Sequence, residues 1–289
     1  MKKLLFQLDT DPIPSSFDGV VAYDGGADHL LTFPNMTPDN VEGIAHGAIF
    51  TRGGKDKQYT AIFVGGSNLA QGESLFDAVQ NIFFSGFRVS VMLDSNGCNT
   101  TAAAAVAQIA GLGSIAGKKA VVYAGTGPVG QRGAVLLAQE GAQVILTSRK
   151  LDRAEAACAA MGQRFGVSLT PMQVSDSAST RAALDGAQIV LAAGAAAIEL
   201  LPEIMWQDNP TLEILADINT VPPLGVGGLD MMDKGEIRRG KKCLGGLGIG
   251  SLKMKVHRAA IAKLFEANNQ VFDAGAIYAL AKELVRNKN

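Results

Sequence analysis

Between residues 117 and 218, short apolar runs alternate with segments that carry helical spacing. The apolar runs have the length and bounding turns of buried strands, and the segments between them place apolar residues three and four apart. The predicted strands are KAVVYAG, AQVILTS, VSLTPMQV, AQIVLAAG and LEILADI, and the predicted helices cover 128–140, 151–165, 178–185 and 201–207. This alternation predicts parallel strands joined by right-handed crossovers in a doubly wound α/β fold.

The region before residue 117 shows a shorter version of the same pattern. Its predicted strands are KLLFQLD, AIFVGG and RVSVMLD, and its predicted helices cover 68–84 and 99–112. The turn GLGSIAG is rich in small residues and indicates a boundary. We therefore predict an α/β fold of two domains, a smaller one at 1–113 and a Rossmann domain at 114–268, followed by a C-terminal helix within 269–289. Asp273 is its candidate N-cap.

A glycine-rich loop follows the strand KAVVYAG and precedes a helix. In this context the first glycine allows the tight turn, the second lets the backbone approach a pyrophosphate, and the third lets helix and strand pack closely. The N–H groups at the start of the helix then face the phosphates. The loop predicts a dinucleotide site, and its contact residues are Gly125, Thr126, Gly127, Pro128, Val129 and Gly130. The alternative is a glycine turn needed only for packing.

The second strand of this unit ends without an acidic residue. An Asp or Glu about 20 residues after the first glycine would hold the adenosine ribose hydroxyls of NAD. Here the strand ends on Thr147, Ser148, Arg149 and Lys150. A hydroxyl and two cations suit a 2′-phosphate, so NADP is the predicted cofactor. The alternative is that Arg149 and Lys150 only solvate the start of the next helix.

Two later strand ends supply further candidate cofactor contacts. Gly194 ends the strand AQIVLAAG, where a small residue leaves room for the ribose and nicotinamide. Asp217 and Asn219 follow the strand LEILADI and have groups that suit the nicotinamide amide or the ribose. These assignments rest on topology, because ligands of doubly wound sheets bind beyond the carboxyl ends of the strands.

Composition narrows the class of partner to small molecules. The net charge is −1, so the chain has no general attraction to nucleic acid or to anionic membranes. The three cysteines form no CxxC pair and no export signal is evident, which favours the cytoplasm. The three histidines show no metal-binding spacing, so no metal site is predicted. A mean hydropathy of +0.17 favours a homo-oligomer.

The segment LDSNGCNTT in the first domain places several short polar side chains between a strand and an alanine-rich helix. Their donors and acceptors suit a heterocycle with amide-like edges, such as a pterin. The candidate substrate-binding residues are Asp94, Asn96, Asn99 and Thr100. The same residues also suit a turn followed by a capped helix, and that alternative stays open.

A second glycine-rich run, GGLGIGSLKMKVHR, contains Lys253 and Lys255. The two lysines share a face on a strand but diverge on a helix, so one of them is expected to reach a bound ligand. We assign the catalytic role to Lys253 or Lys255. The alternative is that both are surface cations on an amphipathic helix.

With these motifs in place, the chain resembles the bacterial NADP-dependent methylene-tetrahydromethanopterin dehydrogenases of one-carbon metabolism. The resemblance implies a pterin domain, a Rossmann NADP domain, a cleft between them that closes, and a C-terminal helix that returns to the first domain. It also implies that GTGPVG and TSRK contact NADP while LDSNGCNTT and one lysine face the pterin. The resembling stretches are KKLLFQLDTD, YDGGADH, TPDN, TRGGK, TAIFVGG, MLDSNGCNTTAAA, AGTGPVG, PPLGVGG and LGIGSLKMKVHRAAIAKLFE.

The implied reaction transfers a hydride from methylene-tetrahydromethanopterin to NADP in formaldehyde oxidation. Because no proton moves, the absence of a Ser/His/Asp set or of paired carboxylates is expected. A lysine is then expected to bond a carbonyl or a phosphate of the ligand and not to act as an acid. The alternatives are a methylene-tetrahydrofolate dehydrogenase/cyclohydrolase, a shikimate- or glutamate-type NADP dehydrogenase, and a non-catalytic NADP-binding sensor.

Overall fold

The computed structural model describes residues 1–287, which form an α/β chain of two compact units. The first unit comprises 1–100 and 254–280, and the second comprises 101–253 and the residues from 281 onward. This division lies at other residues than the boundaries predicted after 113 and 268. Residues 288 and 289 of the predicted C-terminal segment lie outside the described residues. The pterin and NADP roles of the two parts stay predictions.

The first unit contains a five-stranded sheet in which every pairing is parallel, in the order β12, β4, β3, β1, β2. The elements up to residue 112 are β1 (Leu4–Asp9), α1 (Ser16–Asp24), β2 (His29–Phe33), α2 (Glu42–Phe50), β3 (Thr60–Gly65), α3 (Leu69–Ile82), β4 (Ser90–Leu93) and α4 (Cys98–Leu112). The central strand β3 is buried along its whole length. Helices therefore cover both faces of this sheet, as expected of parallel sheets.

The second unit contains a seven-stranded sheet in the order β10, β11, β9, β8, β5, β6, β7. Its elements are β5 (Lys119–Tyr123), α5 (Pro128–Gln139), β6 (Gln143–Ser148), α6 (Leu151–Phe165), β7 (Thr170–Gln173), α7 (Ser177–Leu184), β8 (Ile189–Ala192), α8 (Glu203–Trp206), β9 (Ile214–Asp217), β10 (Lys234–Arg238) and β11 (Lys241–Leu244). The six parallel strands of this unit are, in chain order, β5, β6, β7, β8, β9 and β11. Numbered 1 to 6, they follow the Rossmann order 3-2-1-4-5-6, and β10 adds an antiparallel edge strand. The predicted fold class is confirmed.

The remaining elements are α9 (Gly246–Leu264), β12 (Val271–Phe272) and α10 (Ala274–Arg286). The two residues of β12 pair with β4, so this late strand extends the first sheet. Asp273 caps α10 as predicted, because its carboxylate accepts the N–H of Ala276 at 2.9 Å. No helix within residues 1–287 is both long and apolar enough to span a bilayer.

All three divisions between the units lie inside helices, within α4, α9 and α10. The turn GLGSIAG lies C-terminal to the first of these divisions, and the predicted domain bounds stay predictions. The prediction missed α1, α2 and β2 in the first unit and the β10/β11 hairpin in the second. β2 lies at a sheet edge with little burial, and its sequence HLLTF neither alternates strictly nor forms an apolar run of four residues.

Candidate functional site

The phosphate loop connects β5 to α5, and its glycines differ in what surrounds them. A Cβ on Gly130 would lie 2.7 Å from the Gly125 Cα, and a Cβ on Gly125 would lie 2.6 Å from the Leu146 Cγ. Packing inside the chain thus requires both residues to be glycine. A Cβ on Gly127 would meet nothing closer than 3.7 Å within the described chain. The space beside Gly127 is therefore available to a ligand that approaches the backbone.

The start of α5 is arranged to present its N–H groups to a ligand. Gly127 is the N-cap in an extended conformation, Pro128 occupies the first turn, and no side chain of the described residues caps this end. The Gln131 side chain donates to the Thr126 carbonyl oxygen at 2.8 Å and so fixes the loop. The first turn of a helix carries unpaired N–H groups and the positive end of the helix dipole, which favours a phosphate.

A cavity of about 290 Å³ lies beyond the carboxyl ends of β5, β6, β7 and β8. It brings together five of the predicted cofactor residues: Thr126, Ser148, Arg149, Lys150 and Gly194. Thr147, which the resemblance implies as a cofactor contact, also lines the cavity. Residues that the prediction missed complete the lining: Tyr123, Ala124, Arg153, Val174, Ala195, Ile198 and Leu200. One side of the cavity is therefore basic and the opposite side is apolar.

The basic side of the cavity is formed by the end of β6 and the first turn of α6. Arg149, Lys150 and Arg153 are exposed, and none of the described lining residues carries a carboxylate. The Ser148 hydroxyl is buried and accepts the Lys150 N–H at 3.3 Å. Arg153 lies in the first turn of α6, which begins directly after Arg149 and Lys150, so a third basic residue at the start of the predicted helix was the signal that would have revealed it.

Tyr123 lines the same cavity from the end of β5. Burial raises the pKa of its phenol well above the ordinary value of 10.0. The hydroxyl lies 3.5 Å from the carbonyl oxygen of Thr180 and is oriented to donate to it. The cavity is therefore lined at this point by a neutral ring.

Asp217 and Asn219 lie beside the cavity but not among its lining residues. Asp217 ends β9, is fully buried, and accepts the N–H of Asn219 at 2.9 Å and that of Val226 at 3.0 Å. Burial raises the pKa of this carboxyl, and the backbone N–H groups partly oppose the effect. Asn219 donates to the Ala195 carbonyl oxygen at 3.3 Å. Direct contact of either side chain with a cofactor stays a prediction.

In the first unit, Asp94 and Asn96 lie between β4 and α4, and Asn99 and Thr100 lie in the first turn of α4. Asp94, Asn99 and Thr100 are fully buried, and Asn96 alone among the four is exposed. One Asp94 oxygen accepts the N–H groups of Asn99 and Thr100 at 2.9 and 3.0 Å, and the other accepts the Thr100 hydroxyl at 2.6 Å. These bonds cap the start of α4. Whether any of the four contacts substrate stays a prediction.

His257 adjoins this cluster and was missed as a site candidate. Its ring is fully buried, stacks on Phe63 at 5.7 Å between centroids, and places Nδ1 3.9 Å from an Asp94 oxygen. The residue lies on α9, whose glycine-rich start concealed the helix in the sequence. Asp94 therefore links the start of α4 to a second helix of the same unit.

Lys253 and Lys255 both lie on α9, so the helical alternative is the one observed. Two residues apart on a helix, they point about 200° apart. Lys253 is half-buried and Lys255 is exposed. The division between the units falls between them, with Lys253 in the second unit and Lys255 in the first.

The sheet order, the phosphate loop and the basic cavity define a dinucleotide-binding protein of the Rossmann class. Residues 16–96 match the family model described as methylene-tetrahydromethanopterin dehydrogenase, N-terminal. The chain is 59% identical over 285 residues to the bifunctional protein MdtA of Methylorubrum extorquens, which covers 98% of this chain and 99% of that protein. The chain belongs to the methylene-tetrahydromethanopterin dehydrogenase family, which is a family of oxidoreductases.

A second relative in Methylorubrum extorquens is named NAD(P)-dependent methylenetetrahydromethanopterin dehydrogenase. It is 30% identical over 281 residues, covering 93% of this chain and 94% of the relative. Among solved structures, shikimate 5-dehydrogenase from Listeria monocytogenes, in complex with shikimate and NAD, is similar with a TM-score of 0.54. That match covers 96% of each chain at 15% identity, so it shows the fold alone.

Proposed function

We propose that the protein oxidises methylene-tetrahydromethanopterin with NADP as the hydride acceptor, giving methenyl-tetrahydromethanopterin and NADPH in one-carbon metabolism. The family supports the reaction class. The observation that carries the choice of NADP is the basic side of the cavity. There Ser148, Arg149 and Arg153 surround a space without carboxylates.

The residues present fit a dinucleotide with a 2′-phosphate. Gly127 leaves room for the pyrophosphate, and the uncapped start of α5 directs N–H groups toward that space. Arginine guanidinium groups bind phosphate in a fixed fork geometry, and a serine hydroxyl adds a donor. A carboxylate at the end of β6 would repel the 2′-phosphate, and β6 ends on Ser148 instead.

NADP, when bound, supplies the nicotinamide carbon that accepts the hydride. The chain itself is left to bind and orient the reactants and to exclude water, because the reaction moves no proton at a protein group. Such positioning can contribute up to roughly 7–11 kcal/mol of the barrier. The neutral Tyr123 ring and the apolar side chains of Ile198 and Leu200 line the cavity and contribute apolar surface to hold the cofactor.

For the pterin, we propose that Asn96 and Lys253 make the direct contacts. Asn96 is the exposed member of its segment, and Lys253 is the more buried of the two lysines. Asp94, Asn99 and Thr100 would then act by holding the segment in shape, because their polar groups already bond to one another. The charge of Lys253 suits a pterin carbonyl or a phosphate of the ligand. We do not assign it an acid role.

The test is the absorbance of NADPH after the full chain is mixed with NADP and methylene-tetrahydromethanopterin. Parallel reactions replace the carrier by methylene-tetrahydrofolate and the cofactor by NAD. Rapid NADPH formation with the methanopterin carrier is the expected result. Faster turnover of the folate carrier would favour the folate alternative. Binding of NADP without turnover of either carrier would favour the sensor. The cytoplasmic location and the homo-oligomer stay predictions.

Single substitutions test the lysine assignment. We expect Lys253→Ala to lower kcat/KM for the pterin strongly and Lys255→Ala to change it little, because helix α9 directs the two side chains to different faces. Neither change should remove an ionisation from the pH profile. A lost ionisation in Lys253→Ala would contradict the binding role and indicate proton transfer.

A further inference from the structure

The apolar side of the cofactor cavity is formed by a short irregular segment. Residues 195–200, here called the wall segment, follow β8 and contribute Ala195, Ile198 and Leu200 to the lining. Ala197 has a positive φ of 60°, and the Ile198 side chain is 50% exposed. Neither regular secondary structure nor burial of Ile198 therefore fixes the position of this segment.

The beginning of the wall segment is attached to the loop that follows β9. The Asn219 amide donates from Nδ2 to the Ala195 carbonyl oxygen at 3.3 Å. The side-chain oxygen Oδ1 of Asn219 accepts the Val221 N–H at 3.1 Å, so the side-chain amide is held in place at both its nitrogen and its oxygen. Asn219 is buried, which protects both bonds from exchange with water.

The end of the wall segment is attached to the same loop farther along. The Gly225 carbonyl oxygen accepts the N–H groups of Leu200 and Leu201 at 2.8 and 3.0 Å, and Gly227 donates to the Leu201 carbonyl oxygen at 2.9 Å. Val226 and Leu201 form a parallel bridge. The wall segment is thus held at both ends by residues 219–227.

A single carboxylate holds this loop in shape. One Asp217 oxygen accepts the Asn219 N–H and the other accepts the Val226 N–H, and Gly225 also bonds to this carboxylate. A Cβ on Gly225 would lie 2.9 Å from an Asp217 oxygen, so the turn packs directly on the carboxylate. Asp217 therefore acts on both attachment points of the wall segment, through Asn219 and through the Gly225–Val226 turn.

Burial of a carboxylate costs free energy, so a carboxylate that closes a loop indicates that the position of the loop has a role. The hydrogen-bond partners that the structure gives Asp217 are backbone N–H groups, and burial raises its pKa. An amide at this position would offer a single acceptor oxygen and would direct an NH₂ group at one of the N–H donors. Only a carboxylate satisfies both sides of the loop at once.

We propose that Asp217 is a positioning residue for nucleotide binding, which fixes the wall segment so that Ile198 and Leu200 form the apolar side of the adenosine subsite. The assignment to adenosine follows from the cavity, because the wall segment faces the same space as Ser148, Arg149 and Arg153. The inference rests on the proposed NADP cofactor. It gives Asp217 and Asn219 an indirect role in place of direct contact with the nicotinamide.

The experiment measures the affinity of the full chain for adenosine 2′,5′-bisphosphate by calorimetry. The variants are Asp217→Asn, Ile198→Ala and the double variant, with Asp233→Asn as the matched control. Asp233 is also a buried aspartate of the second unit and accepts the Asp230 N–H at 2.9 Å, but it serves the β10 region. The control should lose thermal stability without losing affinity.

We expect Asp217→Asn and Ile198→Ala each to weaken binding by about tenfold, since a buried charged hydrogen bond or an apolar anchor is lost. The double variant should be no weaker than the weaker single variant, because Ile198 has no fixed position once the wall segment is loose. Multiplying effects, or an unchanged affinity in folded Asp217→Asn, would overturn the inference.

Two further measurements cover the cases in which Asp217→Asn does not fold or the wild-type chain does not bind the nucleotide. If Asp217→Asn does not fold, Asn219→Ala tests the other attachment point, leaves the backbone N–H to Asp217 in place, and must also weaken binding non-additively with Ile198→Ala. An unchanged affinity in Asn219→Ala would overturn the inference. A wild-type chain that binds neither adenosine 2′,5′-bisphosphate nor NADP would instead overturn the proposed cofactor, and the inference with it.

Discussion

Two strand ends in this molecule are followed by polar residues, yet the fold uses them in opposite ways. At the end of β6, the basic side chains of Arg149, Lys150 and Arg153 are exposed around an open cavity. At the end of β4, the polar groups of Asp94, Asn99 and Thr100 are buried and bond to one another. The basic residues after β6 therefore leave their charges exposed to a ligand. The polar residues after β4 use their donors and acceptors to cap α4.

The difference teaches that polar richness after a strand is not by itself evidence of a binding site. What separates the two cases is whether donors and acceptors remain once the chain has folded. Several residues around the cavity at the end of β6 meet this criterion. In the segment after β4, Asn96 is the residue that passes it among the predicted four.

The largest expected effect is the loss of stability on substitution of Asp94. Asp94→Ala removes the acceptor of the buried Asn99 and Thr100 N–H groups and leaves the Thr100 hydroxyl only its longer bond to Gly97, so we expect the free energy of unfolding to fall by about 3 kcal/mol. Urea denaturation measures the change. Asn96→Gly is the matched variant, because glycine suits the positive φ of 53° at that position. It should alter stability by less than about 0.5 kcal/mol.

Turnover measurements then distinguish the residue that caps the helix from the residue proposed to contact the substrate. Asn96→Gly should raise KM for the pterin while the fold is unchanged. Equal stability losses in the two variants would show that the whole segment is structural and that Asn96 is not a contact.

The phosphate loop sharpens the comparison within a single motif. Gly130→Ala forces a Cβ against the Gly125 backbone, and we expect it to destabilise the chain by about 1–3 kcal/mol. Gly127→Ala meets only ordinary contacts, so its stability should match the wild type. Its affinity for NADP should nevertheless fall by about tenfold or more, because the methyl group occupies the ligand's space.

Thermal melts and calorimetric titration check this pair side by side. If Gly127→Ala melts early but binds NADP normally, the loop is a packing turn, which is the alternative that the sequence left open.

The basic side of the cavity is expected to act on cofactor choice alone. Arg149→Ala and Arg153→Ala should each weaken NADP binding by about tenfold, since each removes a charge-assisted bond to the 2′-phosphate. Binding of NAD should change by less than about twofold. Arg181→Ala, an exposed arginine on α7 outside this cavity, is the control. Parallel losses for NADP and NAD would assign these arginines a general electrostatic effect.

The sequence predicted the Rossmann sheet well because its signals are local. Buried parallel strands are apolar along their length, and the helices between them have caps and periodic faces; α6 was placed at 151–165, the residues observed. The phosphate loop was predictable for the same reason, since strand, glycines and helix adjoin.

The rest depended on contacts that are distant in the sequence. β12 joins β4 from 180 residues away, as the pairing of Val271 with Val91 shows. The glycines at the start of α9 have low helix propensity and concealed the beginning of this helix. Arg153 and Ile198 reach one cavity from different crossovers. The network that ties Asp217 to the wall segment joins two side chains, the Asp217 carboxylate and the Asn219 amide, to backbone groups whose positions the sequence does not reveal.

The smallest expected effect concerns buried and exposed carboxylates in the second unit. Asp217 has a pKa raised by burial above its ordinary 3.8, so above that pH the folded chain binds more protons than the unfolded chain and stability falls as pH rises. Asp176 caps α7 at the surface, and the hydrogen bonds from the Ser179 N–H and hydroxyl lower its pKa. Its contribution is therefore present above 3.8 and is lost as pH falls through the lowered value.

Urea denaturation across the acidic range separates the two carboxylates by sign. The stability advantage of the wild type over Asp217→Asn should shrink as pH rises from about 4 through the raised pKa, and its advantage over Asp176→Asn should grow over the first part of the same range. A pH-independent difference for Asp217→Asn would mean that its carboxyl titrates alike in both states. The buried Asp217 carboxylate of the second unit would then carry no electrostatic cost of burial, in contrast to its raised pKa.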